Sequence, residues 1–201
     1  LYQYNEPGYM KLTGPEATLQ AIYQTDATFG PDRLQLDLGA ALLHYHSATT
    51  GSMDAVPALT GRGTLLWRLY ADEASAWRAG LQLDVAWTDL RGTTDTGYRG
   101  YRRLGTKAWA VLQRESAEGA RFEIGGLLRG RQDSTLSDAG QQNISNLQRH
   151  GYYLGYQHSP VAGLYGVRPW IRWSQVGQSA PDGSYFEPRN KTLQLGVLLG
   201  Y

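Results

Sequence analysis

His44, Tyr45, His46 and Ser47 stand consecutively, and a histidine beside a serine invites a hydrolase reading. Nucleophilic catalysis needs the serine hydroxyl within hydrogen-bond reach of a base that a third group orients. Neighbours on an extended segment point to opposite faces, so Ser47 diverges from His46, while His44 and His46 share the side of Leu42. His150 and His158 flank an apolar run around Leu154 and read as anchors at an interface. With no cysteine, thiol nucleophiles, disulfides and cysteine zinc sites are all excluded. The chain reads as a non-enzyme, with a hydrolase as the remaining alternative, and without a metal set or a cofactor.

The ionic residues suggest a different chemistry. Arg129, Arg131 and Arg149 concentrate guanidinium groups on two successive segments, and Asp84, Arg172, Asp37, Glu123 and Arg68 recur on others. Fixed cations lining a narrow channel raise the local anion concentration and repel cations. Whether these side chains meet depends on the elements that carry them.

Those elements are extended. Period-2 alternation runs from end to end, and no window carries a 3.6-residue apolar stripe, so the chain reads as all-β. In 33–47, Leu34, Leu36, Leu38 and Leu42 oppose Gln35, Asp37 and Gly39. In 77–89, Leu81, Leu83, Val85 and Trp87 oppose Arg78, Gln82 and Asp84. Segment 121–132 sets Phe122, Ile124 and Leu128 against Arg121, Glu123, Arg129 and Arg131. Segment 147–158 sets Tyr152, Leu154 and Tyr156 against Arg149, Gly151 and Gly155. Weaker strands lie at 16–26, 62–71 and 166–175, and 103–114 has no evident facing. The opening 1–13 is interrupted by Pro7 and Gly8. The last segment, 192–201, alternates most cleanly, giving about ten strands in all.

The connections near 72–76 and 116–120 are tight and those near 27–32 and 159–165 modest. Those near 48–61, 90–102, 133–146 and 176–190 are long and polar. A mean hydropathy of −0.45 and no long apolar run exclude a membrane-spanning helix, but a spanning strand needs only about ten residues, half of them apolar. A net charge of +1, without a basic tract, argues against nucleic acid. A soluble sandwich or lipocalin-like barrel would alternate too, with its leucines inward. Glycines beside ionic residues opposite the leucines argue instead for a crowded polar interior. So do aromatic residues near the segment ends, where rings with polar tips suit the headgroup region: Trp77, Tyr23, Tyr70, Tyr165 and Tyr201 at one end, Trp87, Tyr152 and Trp173 at the other, with Tyr156 a further anchor.

The closing run Leu193-Gln-Leu-Gly-Val-Leu-Leu-Gly-Tyr201, alternating and ending on an aromatic, resembles the C-terminal signature of Gram-negative outer-membrane β-barrel proteins. The resemblance implies a single antiparallel transmembrane barrel over 1–201, with short periplasmic turns and long extracellular loops. It also implies a bacterial outer-membrane location, contact with outer-membrane lipids and lipopolysaccharide, and recognition of the last strand by the barrel-assembly machinery. No narrower family is matched.

On this reading the leading expectation is a narrow passive channel for small solutes with a weak anion preference. Arg129, Arg131 and Arg149 would set its outer field. Asp84 and Arg172 would sit at mid-height, with Asp37, Glu123 and Arg68 on the same lumen wall. One alternative is a plugged barrel that binds or assembles through its loops. Another is the membrane domain of a larger export protein.

Overall fold

The structure, a computed structural model, describes residues 2–5, 10–25, 30–47, 53–89, 101–136, 143–162, 166–179 and 190–199. The strands are β1 (Tyr2–Asn5), β2 (Met10–Thr13), β3 (Glu16–Gln24), β4 (Arg33–Ser47), β5 (Met53–Ala71), β6 (Ser75–Asp89), β7 (Tyr101–Ser116), β8 (Arg121–Leu136), β9 (Asn143–Gln157), β10 (Val167–Ser179) and β11 (Asn190–Leu199). No helix occurs among the described residues.

The long strands β3 to β11 form one antiparallel sheet in which each pairs with its neighbours in sequence. The sheet curls, and the two four-residue strands lie where its ends approach. β1 pairs with β11, while β2 pairs with both β1 and β4. β2 and β3 follow β4 in one unbroken register, Thr13 opposite His44 and Glu16 opposite Ala41, with Gly14 and Pro15 between them. The expected opening strand 1–13 is therefore two strands, Tyr2–Asn5 and Met10–Thr13, and Pro7 and Gly8 lie outside the described residues.

Several strands outrun their sequence expectation. β5 starts at Met53 rather than 62, β8 continues to Leu136, β9 starts at Asn143 and β10 continues to Ser179. The rest of the expected long connections, 48–52, 90–100, 137–142 and 180–189, lies outside the described residues. In β5 the expectation failed because Pro57 interrupts the run and because the apolar side inverts. Val56 and Ala58 are buried on the face that carries Arg62 further along, and Leu43 is buried on the same face of β4.

The tight turns are as local as expected. Asp72 Oδ1 accepts from the backbone N–H groups of Ala74 and Ser75 at 2.9 and 2.7 Å. The second turn closes with Gly119 at φ 84°, a left-handed conformation that glycine adopts without the Cβ penalty. The two turns also touch, Ala117 N donating to Ala74 O at 2.9 Å.

The distribution of side chains is inverted relative to a water-soluble sandwich. Leu36, Leu38 and Leu42 on β4, Leu81 and Leu83 on β6, Ile124 and Leu128 on β8, and Leu195, Val197 and Leu199 on β11 are all exposed. Buried on the opposite face are Arg33, Gln35 and Asp37, Arg78 and Gln82, Gln113, Arg121 and Arg172. A small apolar cluster of Leu66, Trp109, Val111, Tyr153 and Val176 sits among these polar groups.

Candidate functional site

The inner face of the curled sheet carries two ionic clusters. The first is near the tight turns, where β4, β6, β7 and β8 begin or end. Glu115 of β7 accepts from Arg33 at 2.6 Å and Arg78 at 2.8 Å through Oε2, and from Arg121 at 3.4 Å through Oε1. Asp32 pairs with Arg78 at 2.8 Å and Arg68 at 3.2 Å. Arg33 also donates to Gln113 and Gln24. Two carboxylates thus hold arginines from β4, β5, β6 and β8 together, and Asp32, Arg33, Arg78 and Arg121 are all buried.

The second cluster lies further along the strands. Arg62 of β5 bridges Asp84 of β6 at 3.0 Å and Asp37 of β4 at 3.6 Å. Asp84 is held as well by Trp109 Nε1 at 2.8 Å, by Gln82 Nε2 at 2.9 Å and by Arg172 at 3.7 Å. Arg172 stacks over the Tyr153 ring, 3.7 Å from its centroid, and Tyr153 donates its hydroxyl to Gln82. Gln20 and Gln35 donate to Asp37, and Gln113 to Glu123.

These groups border a cavity of about 430 Å³. Its cations are Arg62, Lys107, Arg121 and Arg172, and its anions Glu16, Asp37, Asp84 and Glu123. Opposite charges at such spacing hold one another and any polar solute between them, but the set has no net sign. At its edge Thr60 Oγ1 donates to Glu16 Oε1 at 2.5 Å.

Four of the expected lumen residues are found here: Asp84, Arg172, Asp37 and Glu123. Arg68 is not beside them. It reaches Asp32 at the turn end, where the register shifts between Arg68 and Tyr70.

The outer arginine triad requires correction. The β7–β8 register jumps from Trp109↔Leu127 to Ala108↔Arg129, leaving Leu128 as an extra residue. After this bulge Gly130, opposite the cavity residue Lys107, takes the inner face, and Arg129 and Arg131 are exposed on the outer one. Arg131 forms a surface pair with Asp133 at 2.8 Å. Arg149 is likewise skipped, between Gly177↔His150 and Gln178↔Gln148, and is exposed. An extra residue flips every side chain beyond it, which unbroken alternation could not foresee.

Of the expected interface residues, Trp77, Tyr152 and Tyr156 are exposed on the leucine side and Trp87 and Trp173 are half-buried there. Arg114 lies over Trp77 at 5.7 Å, and Tyr152 meets Trp173 edge-on at 5.3 Å. Tyr165 and Tyr201 lie outside the described residues. His44, His150 and His158 are exposed.

Sequence reasoning missed Arg62, Lys107 and Glu115. The signal for Arg62 was present: Leu59 and Leu65 bracket it at odd spacing, which sets it on the face opposite both. Compared with known proteins, the chain matches no family model, no curated protein and no solved structure.

Proposed function

We propose that the protein is an integral barrel of the bacterial outer-membrane type, and that its interior is a narrow passage for small polar solutes. The observation that carries this reading is the inversion of the sheet, leucines exposed outside and paired charges buried inside. In water such a surface is a large apolar patch of the kind that monomeric soluble proteins avoid. Against acyl chains it is the stable arrangement. Strands of up to 19 residues are long enough to cross the hydrocarbon layer when tilted. Among the described residues β2 and β3 lie in one line along β4, which supports a wall of about ten strands.

The charge balance of the cavity revises the anion preference. With Arg129, Arg131 and Arg149 off the inner face, selectivity belongs to the cavity charges, which are of both signs. Single-channel recording from protein in planar bilayers tests this. We expect small conductance with weak selectivity and a shift toward cations in Lys107→Glu. The double variant Arg129→Ala/Arg131→Ala is expected to leave the reversal potential unchanged. A strong anion preference abolished by that double variant would overturn the assignment.

A second reading is favoured by the Glu115 cluster, whose buried arginines brace four strands across one end. There the lumen is filled and the barrel serves as a scaffold for what its connections bind. Folded protein that never conducts would select it. For both readings the first test is whether the folded protein needs detergent and migrates differently in electrophoresis before and after heating.

A further inference from the structure

Two strand edges inside the wall have no partner among the described residues. β3 pairs only with β4, and β11 pairs with β1 only at Asn190–Leu193, so Gln194–Leu199 has nothing on that side. β1 lies between β11 and β2, and β3 continues the line of β2. β3 and the far part of β11 therefore flank a slot one strand wide, in line with β1. Side chains alone cross it, Gln194 Nε2 reaching Glu16 Oε2 at 3.4 Å. The cavity between the ionic groups borders this slot through Glu16, Thr18, Gln194 and Gly196.

The two edges are in phase. Continuing the β1 registers, Tyr2↔Leu193 and Tyr2↔Thr13, sets the second residue ahead of Leu1 opposite both Glu16 and Gly196, which face the cavity. The fifth falls opposite both Leu19 and Leu199 on the outer face. Those two leucines are 80% and 81% exposed, more than any other large hydrophobic residue described, as expected of side chains lacking a flanking strand. One strand at one register satisfies both edges and both faces.

We propose that this slot takes one more extended polypeptide segment, joined to the amino end of β1 and antiparallel to β3 and β11, with apolar residues outward and small or polar residues toward the cavity. The inference rests on the membrane reading for its driving force, because an open sheet edge in hydrocarbon leaves backbone donors and acceptors that lipid cannot satisfy. A lipid chain would fill the space and leave those groups unpaired. A separate strand would have to abut β1 end-on, whereas a continuation of β1 needs no break.

The test appends to Leu1 a short extension alternating leucine and threonine in that phase, with a cysteine as the fifth residue ahead of Leu1. It is combined singly with Leu19→Cys, Leu199→Cys, Thr18→Cys or Leu38→Cys, and the protein is folded in detergent. Directly opposed residues on antiparallel strands lie close enough for a disulfide. Diamide, which takes up the two thiol hydrogens, is expected to link the extension to Leu19→Cys and to Leu199→Cys, and not to Thr18→Cys or Leu38→Cys. Independently, and without cysteines, amide exchange along β3 and Gln194–Leu199 is expected to slow at least tenfold when the extension is present. No link in protein that migrates as folded overturns the proposal, as does equal linking to Leu38→Cys. Edges already protected without the extension would mean that they are covered by each other, by a second copy or by detergent, and would also overturn it. Both readouts are taken in detergent, so failure to insert into bilayers would sink the membrane reading without touching them.

Discussion

Asp84 is the residue on which the interior turns. It accepts hydrogen bonds from Trp109, Gln82 and Arg62 and attracts Arg172, so four side chains from three further strands and its own are oriented by one carboxylate. Replacing it with leucine takes the carboxylate from Arg172 and leaves Arg62 with Asp37 alone. The cost of breaking a buried pair is about 3–5 kcal/mol, and the partial exposure of Arg62 and Asp84, 26% and 23%, puts Asp84→Leu toward the lower end, measured by denaturant unfolding in detergent. Asp84→Asn keeps an acceptor for Trp109 and is expected to lose less. Gly125 is the complementary case: a Cβ there would run into the Tyr153 ring. Gly125→Val is expected to destabilise by about 1–3 kcal/mol and to weaken the near-ultraviolet signal of the Trp109–Tyr153 pair. At this scale the sequence disclosed that Asp84, Arg172, Asp37 and Glu123 share a face, because each sits at even spacing from its strand's other polar residues. It hid Lys107, whose strand carries apolar residues on both faces, with Trp109 and Val111 buried inside and Leu104 exposed outside.

Elements, not residues, decided where the expected arginine triad went. The bulges at Leu128 and Arg149 each insert one residue, and no turn signal marks them, so Phe122 to Arg131 reads as a single alternating run when it is two. The alternation on β4, β6 and β11 was legible because those strands themselves carry no inserted residue on the stretches read; the shift in the β5–β6 ladder puts its extra residue, Leu69, on β5. Arg129→Ala and Arg131→Ala are accordingly expected to change stability by no more than about 0.5 kcal/mol, as for surface positions. The turn between β5 and β6 makes a pH-dependent claim. Backbone N–H groups of Ser75 and then Ala74 hold the Asp72 carboxyl below its ordinary value. A carboxyl depressed in the folded state stabilises above its unfolded pKa of about 4, and that contribution fades as pH falls through the folded value. The melting temperatures of the wild type and of Asp72→Ala should therefore differ at neutral pH and converge in acid. A gap that stays constant across the acid range would show that the charge plays no part.

For the whole molecule, the inversion of inside and outside can be tested by one charge. Leu83 is exposed on the outer face midway along β6. On a water-facing surface Leu83→Arg would be nearly neutral. Facing the middle of a bilayer it is expected to cost about 2–4 kcal/mol, read as reduced folding into vesicles with little change in detergent. The curling of the sheet was not legible in the alternation, which is the same for a sandwich and a closed wall. It follows from which distant segments pair, and the contacts of Tyr2–Asn5 with Asn190–Leu193 have no local signature. That pairing also bears on how the chain acquires its shape. From β3 to β11 every ladder joins strands adjacent in sequence, so hairpins can zip up one after another at small loop-closure cost. The junction of β1 with β11 instead spans nearly the entire chain. Its formation is expected to be the slow, final phase of refolding, and lesions in those few residues should trap a nearly complete sheet whose ends have yet to meet.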